Sequence, residues 1–376
     1  MADFRCVGLG VRCLLTAIDV LLVHLAGLMP PPIAEMTVSK ELLAQEAAKA
    51  DVAIITIGRN AGEGADRKLE NDFYLSGTEK ELLQNTATAF HAKNKKIIII
   101  LNIGGVIEVA SWRQWADAIL LAWQPGQEAG NAIADIIFGK VNPSGKLATT
   151  FPIDYKDVPS AKNFPGKELV DTSKIRPAGM RGKPSEVVYE EGIYVGYRYY
   201  QTFQVKPAYE FGYGRSYTQF AYGPLKLSST QFKGSVDVSV IVTNTGKVPG
   251  KEVVELYLHA PAGKMDKPEM ELKAFGKTAL LQPGKTQSLR FRLSAQDLAS
   301  FDTKSSSWIA ESGKYQVMAG SSSLQISQKA FFELKKDLVT EKDSPKLVPK
   351  QPIQELSRPA SSASIVELNN FVITTR

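Results

Sequence analysis

Long apolar runs without alternation are the feature that most limits how this chain folds. Residues 95–101 hold four consecutive isoleucines, and residues 51–57 and 118–123 are similar runs of strand length. Strands that are apolar on both sides are typical of parallel sheets covered by helices. Amphipathic segments that favour helices stand between them, at residues 38–48, 76–90, 106–115 and 126–138. The pattern predicts a parallel-sheet αβα sandwich over residues 34–159, with a capping box at Ser76-Gly77-Thr78-Glu79.

The apolar pattern changes to a period of two in the second half of the chain. The valines of residues 236–242 alternate with other residues, and the apolar residues of 289–293 alternate with arginines. Short alternating segments separated by turns predict an antiparallel β-sandwich of immunoglobulin or fibronectin type III kind over residues 217–334. Residues 160–216 then form a connector. The charged and later Ser/Ala-rich residues 335–376 predict a disordered tail.

Residues 1–33 fit neither predicted domain. Residues 7–28 are largely apolar, but Arg12, Asp19 and His24 interrupt them, and no basic leading region or clear cleavage site is present. We favour a packed or disordered segment here over the alternative of a signal or membrane helix, and we expect no membrane partner. Residues 29–32, Met-Pro-Pro-Pro, predict a linker.

Composition narrows the classes of function. The net charge is +6, but positive and negative residues are interspersed, so we expect no nucleic-acid partner. The three histidines and two cysteines form no ligand cluster in the sequence, and phosphate-binding glycine loops are absent from it, so we expect no metal and no organic cofactor. The cysteines leave the compartment undetermined, and we favour a soluble cytoplasmic protein over a periplasmic or secreted one.

One carboxylate stands out because of its position. Glu63 lies between Gly62 and Gly64, in the loop that follows the predicted strand at residues 51–57. Loops at the carboxyl ends of parallel strands line the functional crevice, and flanking glycines can project a side chain without crowding. A general acid needs such a position. From the residues alone, the commoner alternative is a surface carboxylate in a flexible turn.

Five motifs in order resemble the C-terminal half of family 3 glycoside hydrolases of the β-glucosidase type. They are Gly62-Glu63-Gly64-x-Asp66-Arg67, Asn102-Ile103-Gly104, Trp123-Gln124-Pro125-Gly126-Gln127-Glu128-x-Gly130, Asn142-Pro143-Ser144-Gly145-Lys146-Leu147 and Phe211-Gly212-Tyr213-Gly214-Arg215-Ser216-Tyr217-Thr218. Residues 242–301 also resemble the fibronectin type III-like domain that closes those enzymes. The resemblance covers about residues 32–334.

The resemblance implies a retaining, exo-acting β-glycosidase, with β-glucosidase favoured over β-xylosidase. Its substrate would be a β-linked oligosaccharide or an aryl or alkyl β-glycoside. Carried over by motif, Glu63 is the general acid/base. Asp66 and Arg67 would bind substrate or support the loop through an ion pair, with a solvated turn pair as the alternative.

The sequence also departs from the family. It contains no Ser-Asp-Trp motif and no Lys-His pair, which the resembling enzymes carry on an N-terminal barrel, and the first part of the sandwich is absent from it. We therefore expect an edge or face of the sheet to be exposed unless the N-terminal segment or a partner covers it.

Two hypotheses follow from this departure. The chain supplies Glu63 to a separate barrel-containing chain, or it is a non-catalytic carbohydrate-binding or scaffolding remnant. A nucleotide-binding α/β protein is a remote third hypothesis, because the phosphate motifs are missing.

Overall fold

The computed structural model describes residues 37–59, 66–169, 185–348 and 351–358. The predictions for residues 1–33 and for residues 359–376 of the tail lie outside the described residues. Within the described ranges, no helix combines the length and the apolar character needed to cross a membrane.

A parallel sheet with its helices forms the first half of the chain. Its elements are α1 (Lys40–Lys49), β1 (Val52–Arg59), α2 (Gly77–His91), β2 (Lys96–Ile103), β3 (Ala118–Leu121) and α3 (Ala129–Ile137). The strand order is β1-β2-β3, and both pairs are parallel. The predicted parallel sheet is thus confirmed, and we call elements α1 to α3 the α/β unit.

Capping side chains fix where the first helices begin. The Ser39 side chain accepts a hydrogen bond from the Leu42 amide and so caps α1. At α2 the predicted capping box is present: the Glu79 amide donates to Ser76 Oγ at 3.1 Å, and the Ser76 amide donates to Glu79 Oε2 at 2.8 Å. These bonds satisfy amides that have no partner within the helix.

The predicted helix over residues 106–115 is wrong over most of its length. Only Arg113–Trp115 forms a helical turn, of the 3₁₀ type. The Glu108 amide donates to the Phe73 carbonyl at 2.8 Å, and the Glu108 carboxylate accepts from the Ser111 amide at 2.6 Å. These two bonds, one to a distant residue and one within the segment, take the place of helical hydrogen bonds, while the Ile107 and Trp112 side chains are buried in the core.

The sheet of the α/β unit is buried more completely on one face than on the other. Helix α2 packs against β1 and β2 on the buried face, where Ile57, Ile97, Ile99 and Leu83 join one core. On the other face, Ile54 in the centre of β1 is 46% exposed. Among the described residues, burial of the second face is therefore less complete than the continuous apolar runs predict.

The connector contains little regular structure. Its elements are β4 (Lys167–Glu168), β5 (Ser185–Glu186) and α4 (Tyr197–Thr202). Strands β4 and β5 form a two-stranded antiparallel pair. The Tyr197 ring lies 5.7 Å from the Tyr257 ring, and the Tyr197 hydroxyl accepts a hydrogen bond from the Leu272 amide at 2.7 Å. The connector therefore packs onto the strands that follow it.

An antiparallel β-sandwich follows the connector. Its elements are β6 (Phe220–Tyr222), β7 (Lys226–Leu227), β8 (Ser235–Asn244), β9 (Val253–His259), β10 (Glu271–Lys277), β11 (Thr286–Ser294), α5 (Ala295–Leu298), β12 (Ser300–Asp302), β13 (Ser307–Ala310), β14 (Gly313–Gly320), β15 (Ile326–Leu334) and β16 (Leu338–Lys342). The two main sheets have the orders β10-β9-β14-β15 and β11-β8-β6, and β12-β13-β16 is a smaller third sheet.

The sandwich core confirms the alternating pattern. The alternate valines of β8 are buried and meet buried residues of β9 and β14 from the facing sheet, namely Val236, Val238, Val240, Val242, Val254, Leu256, Tyr315 and Val317. Each strand therefore gives one side to the core and one to the surface.

Part of the predicted disordered tail is ordered. Strand β16 pairs antiparallel with β13, and the Arg358 amide donates to Asp266 Oδ2 at 3.0 Å. The prediction is wrong for Leu338–Lys342, because pairing with a distant strand supplies order that a charged local composition does not reveal.

Candidate functional site

The loop that carries Gly62-Glu63-Gly64 leaves the carboxyl end of β1. Residues 60–65 lie outside the described residues, so Glu63 itself is not placed. The structure does describe both ends of this loop, at Arg59 and from Asp66 onward.

Arg59 holds the first end of the loop. Its Nη1 and Nη2 atoms donate to Oε1 and Oε2 of Glu79, both at 2.7 Å, and its Nε atom donates to the Asp72 carbonyl at 2.8 Å. The Arg59 and Glu79 side chains are each only 10% exposed. A bidentate, largely buried pair of this kind is among the stronger charge-assisted contacts. It ties the end of β1 to the first turn of α2.

Arg67 holds the second end of the loop. Its Nη2 and Nε atoms donate to Asp72 Oδ1 at 2.6 and 3.0 Å, and its Nη1 atom donates to the Val106 carbonyl at 2.9 Å. The ion pair of Arg67 is thus made with Asp72, whereas Asp66 is exposed. A Cβ at Gly105 would lie 2.7 Å from Arg67 Nη1, so glycine leaves room for the guanidinium there.

Asp72 serves both ends of the loop at once. Its carbonyl contacts Arg59, its carboxylate contacts Arg67, and Asp72 Oδ1 lies 3.9 Å from Arg59 Nε. We call Arg59, Arg67, Asp72 and Glu79 the loop clamp. The neighbouring residues in the sequence do not indicate that these four side chains pair. The available signals are the position of Arg59 at a strand end and that of Glu79 in a capping box.

The described residues of the family-like motifs lie in two separate places. The first three motifs follow the strands of the parallel sheet, where Asn102 Nδ2 donates to the Trp123 carbonyl at 3.0 Å across the ends of β2 and β3. The Trp123 ring packs against the core, 6.3 Å from the Phe151 ring. The last two motifs meet each other instead, because Asn142 Oδ1 accepts from Ser216 Oγ at 3.0 Å and from the Tyr217 amide at 2.9 Å.

No metal centre accompanies this site in the part of the chain that the structure describes. Within residues 37–59, 66–169, 185–348 and 351–358, no group of three or more His, Cys, Asp or Glu side chains could hold a metal ion.

Comparisons with known proteins agree with a fold made of an α/β unit and a β-sandwich. The sequence matches the glycosyl hydrolase family 3 C-terminal domain over residues 30–197 and a fibronectin type III-like domain over residues 252–323. The fold and the matches thus define a two-domain protein with an α/β unit and a fibronectin type III-like sandwich. The chain belongs to glycoside hydrolase family 3.

Individual relatives agree with this placement. Beta-glucosidase A of Butyrivibrio fibrisolvens is 36% identical over an alignment of 371 residues that covers 86% of this chain and 42% of that protein. The beta-glucosidase of Rhizobium radiobacter is 36% identical over 301 residues, covering 79% of this chain and 34% of that protein. Beta-glucosidase 3B from Thermotoga neapolitana, solved with α-D-glucose, has a TM-score of 0.76 at 47% identity, and the match covers 83% of this chain and 42% of that one. The chain thus spans about two fifths or less of the length of these relatives.

Proposed function

We propose that this chain is the C-terminal part of a retaining, exo-acting β-glycosidase, with a β-glucoside as the favoured substrate and Glu63 as the general acid/base. The nucleophilic aspartate would come from a barrel that lies outside this sequence. The observation that carries the proposal is the loop clamp, which fixes both ends of the Glu63 loop at the carboxyl edge of the parallel sheet. The names of the relatives, which are beta-glucosidases, supply the substrate class.

The clamp suits the demands of the reaction. A retaining glycosidase needs two carboxyl groups about 5 to 5.5 Å apart, because one attacks the anomeric carbon while the other protonates the leaving oxygen. The second group later takes a proton from the attacking water. Arg67 is a positioning residue in this mechanism, since it holds the loop through Asp72 and the Val106 carbonyl. Asp66, which is exposed beside it, would bind substrate or support the loop.

Reconstitution tests the proposal. The purified chain alone should hydrolyse an aryl β-glucoside negligibly, since a lone acid without its nucleophile forfeits covalent catalysis. Mixing it with a polypeptide that carries the remaining N-terminal part of the Thermotoga neapolitana relative should restore turnover. Robust turnover by the chain alone would contradict the division of the site between two polypeptides.

The role of Glu63 is tested in that mixture. Glu63→Ala should slow an alkyl β-glucoside at least about a hundredfold and an activated aryl glucoside much less, because a good leaving group needs little protonation. Glu81→Ala, at an exposed position of α2, is the matched control and should leave both rates unchanged. Equal losses on the two substrates would remove Glu63 from the acid/base role.

The alternative is a non-catalytic carbohydrate-binding or scaffolding protein. It predicts that the chain binds a β-linked oligosaccharide and that no barrel-bearing polypeptide restores turnover. Isothermal titration with cello-oligosaccharides, with and without that polypeptide, separates the two proposals.

A further inference from the structure

Residues 209–218, which we call the joint segment, connect the α/β unit to the β-sandwich. On one side, the Gly212 amide donates to the Leu147 carbonyl at 2.8 Å and the Leu147 amide donates to the Tyr213 carbonyl at 2.9 Å. On the other side, the Ser323 amide, in the turn between β14 and β15, donates to the Phe211 carbonyl at 2.9 Å. The joint segment is therefore hydrogen-bonded to both halves of the molecule.

Three buried carboxylates lie in or beside the joint segment. Glu210 belongs to it, Glu252 precedes β9 and Glu255 lies in β9, with 8%, 6% and 4% of each residue exposed. We call these residues the glutamate cluster. A Cβ at Gly212 would overlap the Glu255 carboxylate, so the carboxylate packs directly against the backbone of the joint segment.

Each carboxylate of the cluster accepts a hydrogen bond from a hydroxyl group. Ser322 Oγ donates to Glu210 Oε1 at 2.7 Å, Tyr222 OH to Glu252 Oε1 at 2.9 Å, and Tyr257 OH to Glu255 Oε2 at 2.6 Å. Burial raises the pKa of both tyrosine hydroxyls, which keeps them protonated as donors. The charges of the cluster are solvated mainly by neutral groups.

One ammonium group forms an ion pair with the cluster among the described residues. Lys146 Nζ lies 3.4 Å from Glu252 Oε1, and its side chain is 12% exposed. The pKa of Lys277 is lowered, mainly by burial and further by the positive charges of Lys251 and Lys146. Three ionised carboxylates against this one close cation would leave excess negative charge in a buried site, which a protein avoids by keeping a proton on one of them.

Glu255 is the member of the cluster that carries this proton most readily. It faces Tyr257 on its own strand, Lys146 from the loop after α3, Glu252 and Glu210 beside it, and it lies near Tyr197 and Tyr222. Burial is the main cause that raises the pKa of its carboxyl to about 7. Tyr257 and Lys146 act against this rise, and Glu252 and Glu210 act with it.

We propose that Glu255 makes the contact between the joint segment and β9 sensitive to protons. With Glu255 neutral, the joint segment packs closely on β9. With Glu255 ionised, repulsion from Glu252 and Glu210 in a buried setting weakens that packing, and the two halves of the molecule are held less tightly. This inference goes beyond the proposed function, since it needs no catalytic activity.

The sign of the effect follows from linkage. The carboxyl pKa is about 7 in the folded protein and near 4.5 in an unfolded chain. A carboxyl that binds its proton more tightly when folded gives a stabilising contribution that is complete below the unfolded pKa. That contribution is lost as the pH rises through the folded pKa, which is about 7 here.

Hydrogen exchange of the full chain tests the proposal. Between pH 6 and pH 8.5, peptides covering residues 209–218 should lose about tenfold in protection after correction for intrinsic exchange. Glu255→Gln should abolish this loss, and Glu341→Gln, at an exposed site on β16, should leave it in place. A protection factor that is constant with pH in the wild type, or an equal loss in Glu255→Gln, would overturn the proposal.

A second variant keeps the test decisive if Glu255→Gln does not fold. Tyr257→Phe removes the hydrogen bond that favours the ionised Glu255 carboxylate. The midpoint of the exchange transition should therefore move to higher pH. A midpoint that stays in place or moves to lower pH would contradict the role of Glu255.

Discussion

Two groups of charge organise this molecule, the loop clamp at the carboxyl edge of the parallel sheet and the glutamate cluster beside the joint segment. The clamp is balanced, since two arginines meet two acids, and every guanidinium is used in bidentate or multiple bonds. The cluster is unbalanced, since among the described residues its three carboxylates have one close lysine.

The difference between these groups separates two tasks. Balanced charge fixes a position, because each guanidinium presents several donors in one rigid plane to the oxygen atoms of its partners. Unbalanced buried charge responds to protons, because neutralising one carboxylate relieves repulsion. The clamp therefore suits a loop that must keep one position, and the cluster suits a joint whose strength depends on pH.

Breaking the clamp at its most buried pair should have the largest effect on stability. Arg59→Met leaves the Glu79 carboxylate largely buried without its bidentate partner, which should cost about 3 kcal/mol of unfolding free energy. Urea unfolding followed by tryptophan fluorescence reports this, since Trp112, Trp115 and Trp123 all lie in the α/β unit. Lys49→Met, which breaks the exposed pair with Glu46, should change nothing measurable. Equal effects of the two substitutions would show that the clamp adds no stability.

Neutralising Glu255 should have the next largest effect, with the opposite sign. At pH 8 the wild type buries an ionised Glu255, so Glu255→Gln should be about 2 kcal/mol more stable than the wild type. Below pH 4.5 the residue is neutral in both folded and unfolded wild type, so the two proteins should be equally stable. Thermal unfolding at pH 4, 6 and 8 measures this difference. A variant that is less stable than the wild type at pH 8 would show that the ionised carboxylate is well compensated.

The same comparison shows which structural features the sequence predicts and which it does not. Local patterns predicted local structure: the capping box at Ser76, the apolar run that became β2 and the alternating valines of β8 are all confirmed. The helix over residues 106–115 failed because Glu108 bonds locally to Ser111 and to the distant Phe73 carbonyl. Strand β16 was missed because its partner β13 lies more than twenty residues away.

The candidate site divides in the same way. The glycine-flanked position of Glu63 is visible in the sequence, because it depends on neighbouring residues. The pairing of Arg67 with Asp72, and of Arg59 with Glu79, depends on how β1 and α2 are placed in space. From the sequence, an ion pair of Arg67 with the adjacent Asp66 could be proposed, whereas the structure places the Asp72 carboxylate against the Arg67 guanidinium.

The smallest of these effects should come from weakening the second end of the clamp while keeping its charge. Arg67→Lys retains a cation beside Asp72 but cannot also reach the Val106 carbonyl in the same planar geometry. We expect a loss of about 1 kcal/mol in unfolding free energy, together with faster hydrogen exchange in peptides covering residues 60–68. The control is Lys96→Arg, which exchanges one basic side chain for the other in the exposed pair with Asp117. If exchange in the loop peptides is unchanged, Arg59 alone holds the loop. The planar Arg67 guanidinium would then add a positive charge beside Asp72 without fixing the position of the loop.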